Sequence, residues 1–272
     1  MTAVREDRPD AGESVLFLHG GNVAGWSWHE QAASLPDHHV LIPDLPGFGA
    51  SNGVPWTTVA GVADAMADLI RERAHGGRAH LVGLSLGAVV GTVLVARHPG
   101  LVSSALLSGA PLRGLGAVAR TLGLAQVRWW GSRSYWRVMA RAFRLPEDSV
   151  GVFVETGVGI DRASARRVLQ QIYAGVPAAD LEGLRRTRAP ILMLAGEREP
   201  GALHRALSEV TSRAPESLAR TVPGVGHQWS AEDPELFRRV LRHWLTTREP
   251  DPGLLPPRSG PRPRSRRSRP GG

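Results

Sequence analysis

The chain contains no cysteine and no lysine, and its 272 residues include only two tyrosines. Without thiols there can be no disulfide framework, no thiolate nucleophile and no cysteine-based zinc site. The missing lysine means that all 33 basic residues are arginine, which points to a compositional bias rather than to selection for nucleic acid. No nucleic-acid recognition motif accompanies the charge, so a nucleic-acid partner is not expected. No apolar run reaches the 18 or so residues of a membrane-spanning helix. The opening MTAVREDRPDAGES is charged and lacks the apolar stretch of a secretory signal. A cytoplasmic location is therefore expected.

What charge there is lies unevenly. The net value is +8, yet residues 250–272 carry six arginines against one aspartate, and residues 111–146 carry seven arginines and no acid. The rest of the chain is acidic on balance. PDPGLLPPRSGPRPRSRRSRPGG is too rich in Pro, Gly, Ser and Arg to bury a core, so 248–272 is expected to be a disordered tail. Residues 1–13 read as a short leading segment, and 14–247 as the folded domain.

Within that domain short apolar runs alternate with helical patterns. SVLFLHG, HHVLIPDLPG, RAHLVGL, LVSSALLSGAP, APILMLAGE and LARTVPG read as strands. TTVAGVADAMADLIRERA, LGAVVGTVLVARHP and DPELFRRVLRHWLTT between and after them read as helices. Strands that are apolar throughout, separated by helices, predict an α/β fold: a mostly parallel sheet of about six strands covered on both faces. The alternation stops over about 111–189, which reads as a helical insertion between two strands. In it SRSYWRVMARAFR sets Arg133, Arg137, Arg141 and Arg144 on one helical stripe and Trp136, Met139, Ala140 and Phe143 on another.

One stretch invites chemistry. HLVGLSLGAVVG places Ser85 between Gly83 and Gly87, with an apolar run before and a helix after. With 32 glycines in the chain, G-x-S-x-G arises by chance about one time in four, so the pentapeptide alone decides little. Its context is strand, sharp turn, helix, which would lift a serine hydroxyl above the sheet edge and aim free helix N–H groups at it. A hydroxyl needs a base at neutral pH, and that base needs a third group to orient it. His227, in VPGVGHQWS after the last strand, is the best-placed histidine. Glu197 and Glu199 both follow the strand ILMLAG and both could serve as the acid. Backbone N–H groups of Leu86 and of the glycines in LHGGN are candidates to face a developing oxyanion.

Taken together, LFLHGGNVAGWSW, LIPDLPGFGAS, LVGLSLG, ILMLAGEREP and VPGVGHQW resemble, in order and spacing, the α/β-hydrolase superfamily of the single-domain, lid-bearing kind. The resemblance spans 14–247. It implies Ser85 as nucleophile, His227 as base, Glu199 as acid, and Gly21 and Leu86 as backbone oxyanion donors, with the insertion acting as a cap. Glutamate departs from the aspartate more common there. Serine at the elbow argues against the epoxide hydrolases and dehalogenases of this fold, which carry aspartate.

The expected function is hydrolysis of a small carboxylic ester or thioester through an acyl-enzyme, with no cofactor and no metal. The same triad could instead serve C–C bond hydrolysis, cyclisation or lyase chemistry, and a non-catalytic receptor is a remoter reading. Trp26, Trp28, Trp129, Trp130, Trp136, Phe143 and Trp229 are candidates to line a substrate pocket. The arginine stripe suggests a small-molecule partner that is anionic, or an acyl group on a carrier.

Overall fold

The computed structural model describes residues 2–258. Seven strands, β1 (Val4–Asp7), β2 (Ser14–Leu18), β3 (His39–Pro43), β4 (Ala79–Leu84), β5 (Val102–Ser108), β6 (Ile191–Gly196) and β7 (Ser217–Val222), form one sheet. Their order is β1-β3-β2-β4-β5-β6-β7. β1 runs antiparallel to β3, and every other pairing is parallel. The sheet thus has one strand more than the apolar runs predicted. VRED lacks such a run because an edge strand pairs on one side only, and its polar residues can stay partly exposed.

β2, β3, β4 and β6 are buried along their whole length, as strands covered on two faces must be. One face packs against α2 (Val59–Arg73), α3 (Leu86–Arg97) and α9 (Gly201–Thr211). The other packs against α1 (His29–Ala33) and α11 (Pro234–Thr247). α3 is buried at every position from Leu86 to Ala96, which explains why its sequence is apolar all round rather than striped. α2 and α3 are joined at the surface by Asp64, whose carboxylate accepts from Arg97 (2.8 Å) and bonds the His98 ring (2.7 Å).

Between β5 and β6 lie α4 (Ala117–Ala125), α5 (Arg133–Ala142), α6 (Glu147–Gly159), α7 (Arg162–Ala174) and α8 (Ala178–Leu181). An antiparallel bridge between Arg113 and Gly175 closes the neck of this insertion. Inside the insertion Trp136 packs on Trp130, Tyr135 and Phe153, and these side chains continue the core on the α2 and α3 face of the sheet. Leu181 and Leu184 join the core beside the sheet, and Gly183 abuts the Ala96 carbonyl of α3.

Part of the expected tail, residues 251–255, is paired to the sheet. Thr221 and Leu255 exchange two backbone hydrogen bonds of 2.9 Å, so residues 251–255 cover part of the outer edge of β7. Leu254 is buried, and Asp251 pairs with Arg239 of α11 at 3.1 Å. A segment too polar to form its own core is ordered here by borrowing an existing edge. The remainder of the expected tail, 259–272, lies outside the described residues. Among the described residues no helix is long and apolar enough to cross a membrane.

Candidate active site

The sharp turn after β4 holds Ser85 at φ 55° and ψ −114°, a region that costs a non-glycine residue about 1–3 kcal/mol. Its N–H donates to the Ser108 carbonyl at the end of β5 (2.9 Å), and its carbonyl accepts from Val89 in the first turn of α3 (3.0 Å). The flanking glycines are required by space. A methyl group on Gly87 would come 2.0 Å from the Leu18 carbonyl oxygen, and one on Gly83 would come 2.8 Å from that of Gly87.

Two further loops reach the same place. His227 follows β7, and Glu199 follows β6. The His227 Nδ1 is hydrogen-bonded to Oε1 of Glu199, while Oε2 accepts from the Gly196 N–H at 2.7 Å. A carboxylate accepts, so Nδ1 carries the hydrogen, and in the neutral ring the lone pair is on Nε2. The Glu199 side chain is 1% exposed and that of His227 is 27% exposed. The carboxylate is thus shielded from water while the ring edge remains reachable. Glu197, the other candidate, turns away and accepts from the Gly224 N–H at 2.8 Å.

Ser108 and Gly109 tie the three arms together. Ser108 holds the Ser85 N–H through its carbonyl, and its hydroxyl accepts from the Trp229 indole at 2.8 Å, two residues past His227. Gly109, at φ +62°, lies so close to the acid–imidazole pair that a methyl group there would sit 2.8 Å from His227 Cε1 and 2.9 Å from Glu199 Oε1. Sequence reasoning missed both residues, since SG at the end of a strand looks like any turn. The histidine loop is further pinned by Glu232, which accepts from the Gly226 N–H (2.8 Å) and pairs with Arg198.

The glycines after β2 run alongside the elbow. A methyl group on Gly20 would lie 3.7 Å from Ser85 Cβ, and one on Gly21 would lie 3.8 Å from Leu86 Cβ. Leu86 is the first residue of α3, so its N–H has no acceptor within the helix. His19 fixes this loop, and it too was missed. Its Nδ1–H donates to the Gly20 carbonyl (2.8 Å) and its Nε2 accepts from the Leu45 N–H (2.9 Å). Burial holds its pKa below the ordinary histidine value, in keeping with a neutral ring that donates at one nitrogen and accepts at the other. Asp44, in the loop after β3, accepts from the Gly25 and Ala50 N–H groups (2.6 and 2.8 Å) and thereby shapes that turn.

The aromatic candidates scatter. Trp28 and Trp229 are buried beneath the sheet's other face against Phe237, and Trp130 and Trp136 are buried inside the insertion. Phe143 packs edge-on against Phe153, and Trp129 is half exposed with Arg128 stacked on it. They do not gather into one wall: composition revealed aromatics but not which side of an element each would face. Trp26 lines a cavity beside the elbow. That cavity, about 540 Å3, is also lined by Val23, Leu84, Leu145, Val152 and Gln228, two of them the immediate neighbours of Ser85 and His227. The Trp26 indole donates to Thr156 of α6 at 2.9 Å, bridging the core to the insertion. Among the described residues no three His, Asp or Glu side chains converge as a metal site.

Comparison with known proteins agrees with this architecture. A protein of Gibberella zeae described as an AB hydrolase superfamily protein is 27% identical over 252 residues, covering 88% of this chain and 82% of that protein. A pimeloyl-acyl-carrier-protein methyl ester esterase of Aeromonas hydrophila is 31% identical over 105 residues, 36% of this chain and 37% of its own. The crystal structure of a hydrolase from Pseudomonas aeruginosa superposes with a TM-score of 0.75 at 21% identity, covering 90% of this chain and 94% of that one. The model of the alpha/beta hydrolase family matches residues 15–240, and the chain belongs to that family of enzymes.

Proposed function

We propose that this enzyme is a serine hydrolase that cleaves small carboxylic esters or thioesters, with Ser85 as nucleophile, His227 as base and Glu199 as the acid that orients it. The observation that carries this reading is the Ser108–Gly109 pair, which holds the strained Ser85 turn with one residue and packs against the His227–Glu199 contact with the next.

Chemically, the Ser85 Oγ–H would pass its proton to His227 Nε2 as Oγ bonds to the substrate carbonyl carbon. The carbonyl oxygen takes the negative charge and faces the N–H groups of Gly21 and Leu86. As the tetrahedral species collapses, the carbon–oxygen or carbon–sulfur bond breaks and the leaving group takes the proton from His227. Water then repeats the sequence, giving its proton to His227 and its oxygen to the acyl carbon, and Ser85 is restored. The cavity beside Trp26 is the space available for one arm of such a substrate. A carrier-borne acyl group fits the same chemistry. It is the substrate named for the Aeromonas relative, and Arg137 and Arg141 stand exposed on α5 to meet an anionic carrier.

The test is covalent labelling with a fluorophosphonate alongside turnover of an ester, thioester and amide panel. Ser85→Ala should lose the label and about 10⁴-fold or more in kcat while keeping its circular dichroism. A Ser85→Ala protein that still labels, or a wild type inert to the panel, would sink the proposal.

A further inference from the structure

The least covered element of the molecule is α4. None of its nine residues is buried. Around it stand Leu115 (43% exposed), Val118 (75%), Leu122 (69%) and Trp129 (53%), half of the large hydrophobic side chains exposed among the described residues. Val118 and Leu122 are four residues apart on the helix, so they share a face, and Trp129 stands exposed in the turn that follows. Monomeric proteins seldom leave an apolar stripe uncovered unless something binds it.

The charge beside the stripe has one sign. No acid occurs between residues 111 and 146. A cavity of about 550 Å3 adjoins the stripe, lined by Arg128, Arg162 and Arg166 together with Leu124, Ala125 and Val127. Many of the protein's arginines are engaged: Arg97 by Asp64, Arg113 by Glu209, Arg133 by Glu155. Among the described residues no carboxylate lies within ion-pair distance of Arg128, Arg162 or Arg166. Three exposed arginines without a carboxylate partner among the described residues thus line a pocket with apolar walls.

We propose that α4 and the turn after it form a membrane-contact surface for bilayers containing anionic lipid. Val118, Leu122 and Trp129 would enter the headgroup–acyl boundary, and Arg128, Arg162 and Arg166 would hold lipid phosphates. Two arguments favour a bilayer over an acidic protein. A stable protein interface uses about 20–30 residues a side, and this stripe with its arginines offers only seven. A bilayer, unlike a protein surface, supplies apolar depth and negative charge in one plane without directional matching. Trp129 with Arg128 stacked 5.1 Å from its ring centroid suits that boundary, where both side chains can bury an apolar body and keep a polar end wet.

The test is co-sedimentation of the full-length protein with vesicles of phosphatidylcholine alone and with an equimolar phosphatidylcholine–phosphatidylglycerol mixture. Wild type should bind the mixture, not the neutral vesicles, and release as salt is raised. Val118→Asp/Leu122→Asp should lose at least tenfold in partitioning with melting temperature and turnover of a water-soluble ester unchanged. Arg128→Gln, Arg162→Gln and Arg166→Gln should each weaken binding about fivefold. The arginine-rich residues 259–272 are common to every protein compared, so binding that the Asp variant retains in full would assign the attraction to them and overturn the proposal. Absence of vesicle binding would overturn it as well. So would binding to soluble polyglutamate alone, which would mark the surface as one for an acidic protein.

Discussion

Gly109 illustrates how a residue with no side chain can decide a site's geometry. Its positive φ and the space it leaves for the imidazole and the carboxylate are both denied to alanine. Gly109→Ala should cost about 1 kcal/mol or more in stability from backbone conformation alone. The larger effect should be on kcat, because the methyl group must push His227 or Glu199 aside, and displacements of about 1 Å can cost on the order of 100-fold. Normal kcat in a folded Gly109→Ala protein would show that the pair tolerates movement. The two glutamates separate similarly. Glu199→Gln should collapse turnover, since an amide cannot both accept from His227 and take the Gly196 N–H in the same way, whereas Glu197→Gln should leave kcat nearly intact. The reverse ranking would move the acid role to Glu197. At this scale the sequence was informative where a motif constrains backbone. Ser85, Glu199 and His227 each stand just after an apolar run that ends in glycine or a glycine-rich turn, so their common sheet edge could be read from the chain. His19, Ser108 and Gly109 act through contacts between segments far apart in sequence, and nothing local marks them. The tryptophans show the same limit, because burial on one face of a sheet rather than the other is decided by packing.

The elements were legible where both faces of a strand are covered and obscure where a segment depends on a neighbour. β2 and β6 announce themselves by apolar runs, and β4 and β5 by runs interrupted only by His80 and by Ser103 and Ser104. β1 and the 251–255 segment do not, because each is ordered by pairing to an edge that already exists. Between elements, the Asp64 cluster joining α2 to α3 gives a pH-dependent contribution whose sign can be worked out. The Arg97 hydrogen bond, with help from His98 and against desolvation, lowers the Asp64 pKa to about 2. A carboxyl depressed in the folded state contributes stability that is fully present above its unfolded value of about 4 and is lost as pH falls towards 2. Asp64 and Arg97 are both more than a third exposed, so solvent screening limits the contribution to about 1 kcal/mol or less. Asp64→Asn should therefore melt slightly below wild type at pH 7, and the two curves should converge near pH 2. A difference that persists undiminished at that pH would attribute the loss to packing rather than charge.

For the whole molecule, the question is where the folded body ends. Composition alone draws the line after the last helix, because PDPGLLPPR has neither periodicity nor enough apolar residues to form a core. Physical context moves it. The β7 edge needs partners for its outward backbone groups, and Thr221 finds them in Leu255. Leu254 adds its side chain to the cluster beneath α11, alongside Trp244 and Leu245, and Asp251 closes the contact with Arg239. Burying one leucine is worth about 1.5–3 kcal/mol, and a surface ion pair adds at most about 1 kcal/mol. A chain ending at Glu249 should consequently melt a few degrees below one ending at Arg258, since each kcal/mol shifts the midpoint of a domain this size by about 2–4 °C. Leu254→Ala in the longer chain should reproduce much of that decrease, because it removes the buried side chain and leaves the Thr221–Leu255 pairing in place. Indistinguishable melting of the two chains would mean that the 251–255 segment lies on the sheet without stabilising it.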